Sequence, residues 1–121
     1  MKAIFAVLVL ASVMGCGDAK KDDFNRSKAD FLQAESALSN VGCILNEQNP
    51  KEPALDCTGV RERDIQSLES ALSNYVSHGS LMLENDGKAE KKFMTDDERA
   101  NVQRKIMVAN KVRAAVVKVN K

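Results

Sequence analysis

Apolar residues recur with helical spacing over three stretches of the chain. The first set is Phe24, Phe31, Ala34, Leu38, Val41 and Leu45, heptad a and d positions with one polar gap at Ser27. It predicts an amphipathic helix of about six turns. The second set, Ile65, Leu68, Leu72 and Tyr75, predicts a helix that starts near Val60 and stops at His78-Gly79. A glycine there can take the positive φ of a helix C-terminus, and Glu62 and Asp64 suit the positive end of the dipole. The third helix has the clearest start. Thr95-Asp96-Asp97-Glu98 has the spacing of a capping box, and Val102, Ile106, Ala109, Val112, Val116 and Val119 then share one face. Its valines lower intrinsic helix propensity, so this helix needs a packing partner or a membrane surface.

Residues 80–94 carry two readings. Leu81-Met82-Leu83 and Lys92-Phe93-Met94 flank Asn85-Asp86-Gly87, which suits a hairpin with a type I′ turn or a loop with one helical turn. The Asn-Asp-Gly cluster lacks the spaced ligands and terminal Glu of a calcium loop. There is also an internal echo: Glu35-Ser36-Ala37-Leu38-Ser39-Asn40 returns as Glu69-Ser70-Ala71-Leu72-Ser73-Asn74, 34 residues on. That period is the tetratricopeptide one, but the Trp, Gly, Tyr and Pro pattern of those repeats is absent. A duplicated helix and a chance similarity both remain open. In either case the two helices offer the same Ala/Leu face, suited to antiparallel packing. The expected fold is all-α, a small helical hairpin or three-helix bundle.

Composition adds limits. With 121 residues, 44% of them hydrophobic, the chain is one small domain and not disordered by composition. A net charge of +1 excludes a conventional basic nucleic-acid binder. The charge is unevenly spread, however. Residues 18–87 hold 7 basic and 13 acidic side chains, and residues 88–121 hold 10 basic and 4 acidic. Either the basic third helix packs on an acidic pair of helices, or its outer row, Arg104, Lys111 and Lys118, meets a partner or a membrane surface. The two readings are compatible.

The N-terminus carries an address. Met1-Lys2 precedes a largely apolar run, Ala3 to Met14, shorter than the ~20 residues that span a bilayer core and suited to a secretory signal. It ends in Val13-Met14-Gly15-Cys16, which resembles the lipobox of bacterial lipoproteins. The resemblance implies cleavage after Gly15, a lipid anchor on Cys16, and a mature chain beginning there. Gly17 follows, with Asp18 one place later. In enteric-type bacteria that arrangement implies an outer-membrane location facing the periplasm. The expected layout is a signal peptide at 1–15, a lipidated flexible tether at 16–23, and an α-helical periplasmic domain at 24–121.

Lipidation of Cys16 would leave Cys43 and Cys57 to pair with each other. Such a disulfide closes a loop of about 15 residues, worth about 3 kcal/mol in the chain-entropy model. With Asn49-Pro50 and Pro53 inside it, the loop reads as a turn between helices. A zinc site on Cys43, Cys57 and His78 would lack a fourth ligand and any C-x-x-C spacing.

No catalytic constellation stands out. His78 is the only histidine and reads as an exposed helix-end residue. Asp96, Asp97 and Glu98 are explained by capping. No phosphate loop, dinucleotide fingerprint or metal-binding helix motif occurs. We expect a non-enzymatic protein with no cofactor, which docks an envelope partner through its heptad helices and whose apolar face can also serve a homo-oligomer. The architecture resembles small helical envelope lipoproteins, including pilotin-like chaperones of secretion channels and plasmid exclusion lipoproteins. It also resembles the outer-membrane lipoprotein subunits of phage spanins, which join the two membranes at host lysis by pairing with an inner-membrane coiled-coil protein. Lys121 invites comparison with the wall-linked major outer-membrane lipoprotein, an uninterrupted helix. The internal breaks expected here depart from it.

Overall fold

The computed structural model describes residues 16–89 and 91–120, and of the side chains those of 20–89 and 91–118. The expected signal peptide, the Cys16 and Val119 side chains and Lys121 lie outside the described residues. Three long helices account for most of the chain: α1 (Cys16–Val41), α2 (Ile65–Lys88) and α3 (Asp96–Asn120). Between α1 and α2 lie two short strands, β1 (Ile44–Asn46) and β2 (Ala54–Asp56), and a 3-10 turn at Glu62–Asp64. The fold is thus a three-helix bundle with a small β-hairpin inserted, not purely helical.

Helix α1 ends at Val41, short of the expected Leu45, because Gly42 closes it. Gly42 adopts φ 126°. Its N–H bonds the Ser39 carbonyl at 3.1 Å, and the Cys43 N–H bonds the Leu38 carbonyl at 3.0 Å, the paired bonds of a Schellman motif. At its other end α1 continues to Cys16, so residues 16–23 are helical where a flexible tether was expected. Ser27, the polar gap in the heptads, is 1% exposed. Its hydroxyl donates to the Phe24 carbonyl at 2.9 Å, with the Asp23 carbonyl at 3.0 Å, and accepts from Asn85 Nδ2 at 3.2 Å. Those bonds offset the cost of burying it.

Beyond Gly42 the chain turns into the hairpin. Leu45 pairs with Leu55 in an antiparallel register, and the Cys43–Cys57 disulfide closes its base with the Cα atoms 4.2 Å apart. The expected disulfide is therefore present, but the loop it closes is a strand pair rather than a plain turn. Asn46 and Asn49 shape the tip through side-chain bonds to the Gln48 and Lys51 N–H groups, as Asx-turns do.

Two corrections concern α2. It does not stop at Gly79 but runs on to Lys88, and no hairpin forms around Asn85-Asp86-Gly87. Its buried face, Leu68, Ala71, Leu72, Tyr75, Gly79, Met82 and Asp86, keeps helical spacing through the glycine. At Gly79 both of the other helices approach α2 closely. A Cβ there would lie 2.7 Å from Phe31 Cε1 of α1 and 2.9 Å from Ile106 Cδ1 of α3. His78 accordingly sits within α2 rather than at its end.

Asp86 then organises the passage from α2 to α3. Its carboxylate is fully buried. It accepts the Phe93 and Met94 N–H groups at 2.7 and 3.1 Å and pairs with the Arg99 guanidinium at 2.6 and 2.9 Å. Helix α3 opens with the expected capping box: Thr95 Oγ1 accepts the Glu98 N–H and Glu98 Oε1 accepts the Thr95 N–H, both at 3.1 Å.

Helices α1 and α3 each run antiparallel to α2. Asp23 and Ser27 meet Asn85 while Glu35 meets Tyr75; Asp86 meets Arg99 while Gly79 meets Ile106. The core threads between them, with Leu72, Tyr75 and Ala109 almost fully enclosed. Each large apolar side chain so buried stabilises the fold by about 1.5–3 kcal/mol. Phe31 stacks on Tyr75 with centroids 4.5 Å apart, and Phe24 packs on Phe93 at 5.0 Å. The matched Glu-Ser-Ala-Leu-Ser-Asn segments both place their leucines, Leu38 and Leu72, in this core. Among the described residues no helix is long and apolar enough to cross a membrane.

Candidate docking surface

This topology creates two poles. At one, the Cys16 end of α1 lies beyond the α2–α3 connection. Among the described side chains Phe24 is the first of α1 in the core, where it meets Phe93, and residues 16–23 continue the helix roughly 12 Å beyond it. At the other pole the disulfide-closed hairpin, the start of α2 and the last turns of α3 converge. The two ends of α1 are roughly 38 Å apart.

The second pole holds an open apolar cleft of about 440 Å³. One wall is α3, through Val112, Ala115 and Val116; the opposite wall comes from Leu55 and Cys57 of the hairpin and Val60 after it; Ile65 and Leu68 of α2 form the base. Ala115 is exposed, and its side chain is smaller than those of the two valines beside it. The polar lining is Asp56 and Thr58. The Asp56 carboxylate accepts both the Thr58 hydroxyl, at 2.6 Å, and the Thr58 N–H, at 2.9 Å. Those bonds hold its pKa below the ordinary Asp value, so it keeps a negative charge at the rim.

Ion pairs with residues of α1, α2 and the hairpin loop engage two of the basic residues of α3. Arg99 is bound to Asp86. Lys105 is nearly buried, with Nζ 2.6 Å from Glu47 and 3.6 Å from Glu35. Tyr75 donates its hydroxyl to Glu35 at 3.0 Å. Burial and then the Glu35 charge push the Tyr75 pKa far up, so the tyrosine stays a donor. Asn101 and Arg104 bond the Pro50 carbonyl at 3.1 and 3.3 Å. Together with Lys105–Glu47 they pin the hairpin tip to α3 and so set the width of the cleft.

The expected outer row of basic residues therefore divides. Arg104 is half-buried and engaged with the hairpin. Lys111 and Lys118 are exposed, and none of the ion pairs among the described residues involves them. They lie four and three residues from Ala115, hence beside it on the helix surface, along the outer margin of the cleft.

Cys43 and Cys57 are bonded to each other, and His78 borders a separate shallow groove with Asp30 and Asn74. The structure does not bring those three residues together. Among the described residues no group of three or more His, Cys, Asp or Glu is placed to hold a metal.

The cleft itself was not foreseen. It needs three segments far apart in the chain, and its only sequence signal is that the apolar face of α3 continues past Ala109 to Val112 and Val116. No known family profile matches the chain, and neither a curated protein nor a solved structure is similar to it.

Proposed function

We propose that the chain is a lipid-anchored envelope protein that docks a partner protein at the pole opposite its anchor and carries out no chemistry of its own. The observation that supports this reading is the separation of the two poles. With a lipid on Cys16, the membrane lies at one end of α1 and the apolar cleft lies at the other, turned toward the periplasmic space. The lysines beside the cleft then sit roughly 20 Å or more along α3 from the anchored pole, too far to serve the anchoring leaflet. The helical segment 16–23 acts as a short rigid spacer rather than a loose leash. An outer-membrane location follows from Gly17 at the position after Cys16.

The test combines two measurements in intact cells. Metabolic labelling with a palmitate analogue should mark the chain, and Cys16→Ser should abolish the label and release the protein from the membrane fraction. A photo-crosslinker at Lys111 should capture an envelope protein. Capture of a secretion or conjugation component would make the chain a docking factor for that machine, and capture of an inner-membrane coiled-coil protein would make it a spanin subunit. Unchanged labelling in Cys16→Ser, or intramolecular links alone from Lys111 and from Leu32, an exposed residue of α1, would refute the proposal.

A further inference from the structure

We infer that the cleft receives an amphipathic helix of the partner, apolar along one stripe and acidic along the edge that meets α3. The inference rests on the docking reading above and names what the docked element must be.

The shape argues for a helix. The cleft is open along its length rather than closed over, and its α3 wall presents Val112, Ala115 and Val116 at i, i+3 and i+4. The small Ala115 beside two valines leaves room for a side chain of a facing helix. An apolar stripe at i, i+3, i+4 and i+7 fills such a groove.

Charge fixes the sign of each edge. Lys111 and Lys118 stand two turns apart on the α3 margin, about 10.5 Å. Carboxylates seven residues apart on an aligned helix repeat at that same spacing. Across the cleft the rim is negative, because Asp56 is held ionised by Thr58. A helix acidic on both edges would meet repulsion at the hairpin, and one basic on both edges would meet it at α3. The occupant is therefore acidic toward α3 and neutral or basic toward the hairpin, an asymmetry that also sets its orientation.

The experiment places a photo-crosslinker at Ala115 in the full-length chain in cells, with Leu32 of α1, an exposed residue that does not line the cleft, as a second position. The crosslinked peptide is then sequenced. The expected result is a partner segment with apolar residues at i, i+3, i+4 and i+7 and carboxylates on one flank. Lys111→Glu combined with Lys118→Glu should reduce that capture at least about fivefold while leaving the thermal midpoint of the purified protein unchanged, since neither lysine joins an ion pair among the described residues.

Links from Ala115 to lipid would mean that an acyl chain fills the cleft and would overturn the inference. So would links to a second copy of this chain, or to a segment with a basic or uncharged α3-facing edge, or capture insensitive to the charge reversal. Capture of a protein from Leu32 but not from Ala115 would refute the helix-in-cleft inference and leave the docking reading standing. Capture from Lys111, Ala115 and Leu32 all failing would remove both.

Discussion

Replacing Gly79 by alanine sets two physical effects against each other. Within a helix, alanine is favoured over glycine by about 1 kcal/mol, because glycine loses more backbone entropy on folding. On propensity alone Gly79→Ala should stabilise α2. The structure places Phe31 Cε1 at 2.7 Å and Ile106 Cδ1 and Cγ1 at 2.9 Å from the new Cβ. Both neighbours are buried, and Phe31 is fixed further by its stack on Tyr75. Overpacking of this kind costs about 1–3 kcal/mol, so the net effect should be a loss of up to about 2 kcal/mol. For a domain of this size that lowers the thermal midpoint by up to roughly 10 °C, read from the helical circular dichroism signal. Gly87 supplies the control. It lies in the last turn of α2, and a Cβ there meets nothing within 4 Å. Gly87→Ala should raise stability by about 0.5 kcal/mol, a midpoint gain of a few degrees. Ile106→Val removes one of the blocking atoms, so combined with Gly79→Ala it should cost less than the sum of the two single changes. A stabilising Gly79→Ala that matches Gly87→Ala would refute the close crossing and with it the packing of all three helices.

Two further outcomes are expected. Burial alone would push the Asp86 carboxyl upward, but the Arg99 bond and the Phe93 and Met94 N–H groups outweigh it and hold the folded pKa below the unfolded value of 3.8. The stability this contributes is therefore present above pH 3.8 and lost as pH falls through the lower folded value. Asp86→Ala should cost about 3 kcal/mol or more, by leaving Arg99 only its long contact with the exposed Asp96 and two N–H groups unbonded. Urea unfolding across pH 2–6 should give a flatter acid limb for Asp86→Asn than for the parent. Paired Cys43→Ser and Cys57→Ser changes should cost about 3 kcal/mol, leaving the helical signal in place at low temperature. A loss below about 1 kcal/mol would mean that the Lys105–Glu47 pair and the Pro50 contacts hold the hairpin by themselves.

Much of the fold was legible locally. The capping box at Thr95–Glu98 needs only residues three apart, and the apolar faces of α1 and α3 need only helical periodicity. The Cys43–Cys57 pairing follows once Cys16 is set aside. The stop at Gly42 was not legible, because Leu45 continued the heptad count past it. The short strands were not legible, because three residues on each side give no period to count. What pairs them is the disulfide and the turn chemistry of Asn46 and Asn49.

The candidate site shows the same division. Sequence located the free lysines on the outer face of α3 but could not separate Arg104 from them, since the Pro50 carbonyl that engages it comes from a distant loop. Gly79 and Asp86 mark the boundary most clearly. A glycine after a helical stretch can stop a helix or admit a neighbour, and an Asn-Asp-Gly cluster can turn a chain or end a helix. Each choice depends on partners that local sequence does not name. Sequence by itself determined which residues face inward, where α3 begins and which cysteines pair, because those follow from periodicity, capping geometry and counting. Tertiary structure decided that α2 runs through Gly79, that Asp86 ties two helices together, and that an apolar cleft opens at the pole away from Cys16. Those outcomes depend on which surfaces approach within a few ångströms once the helices pack.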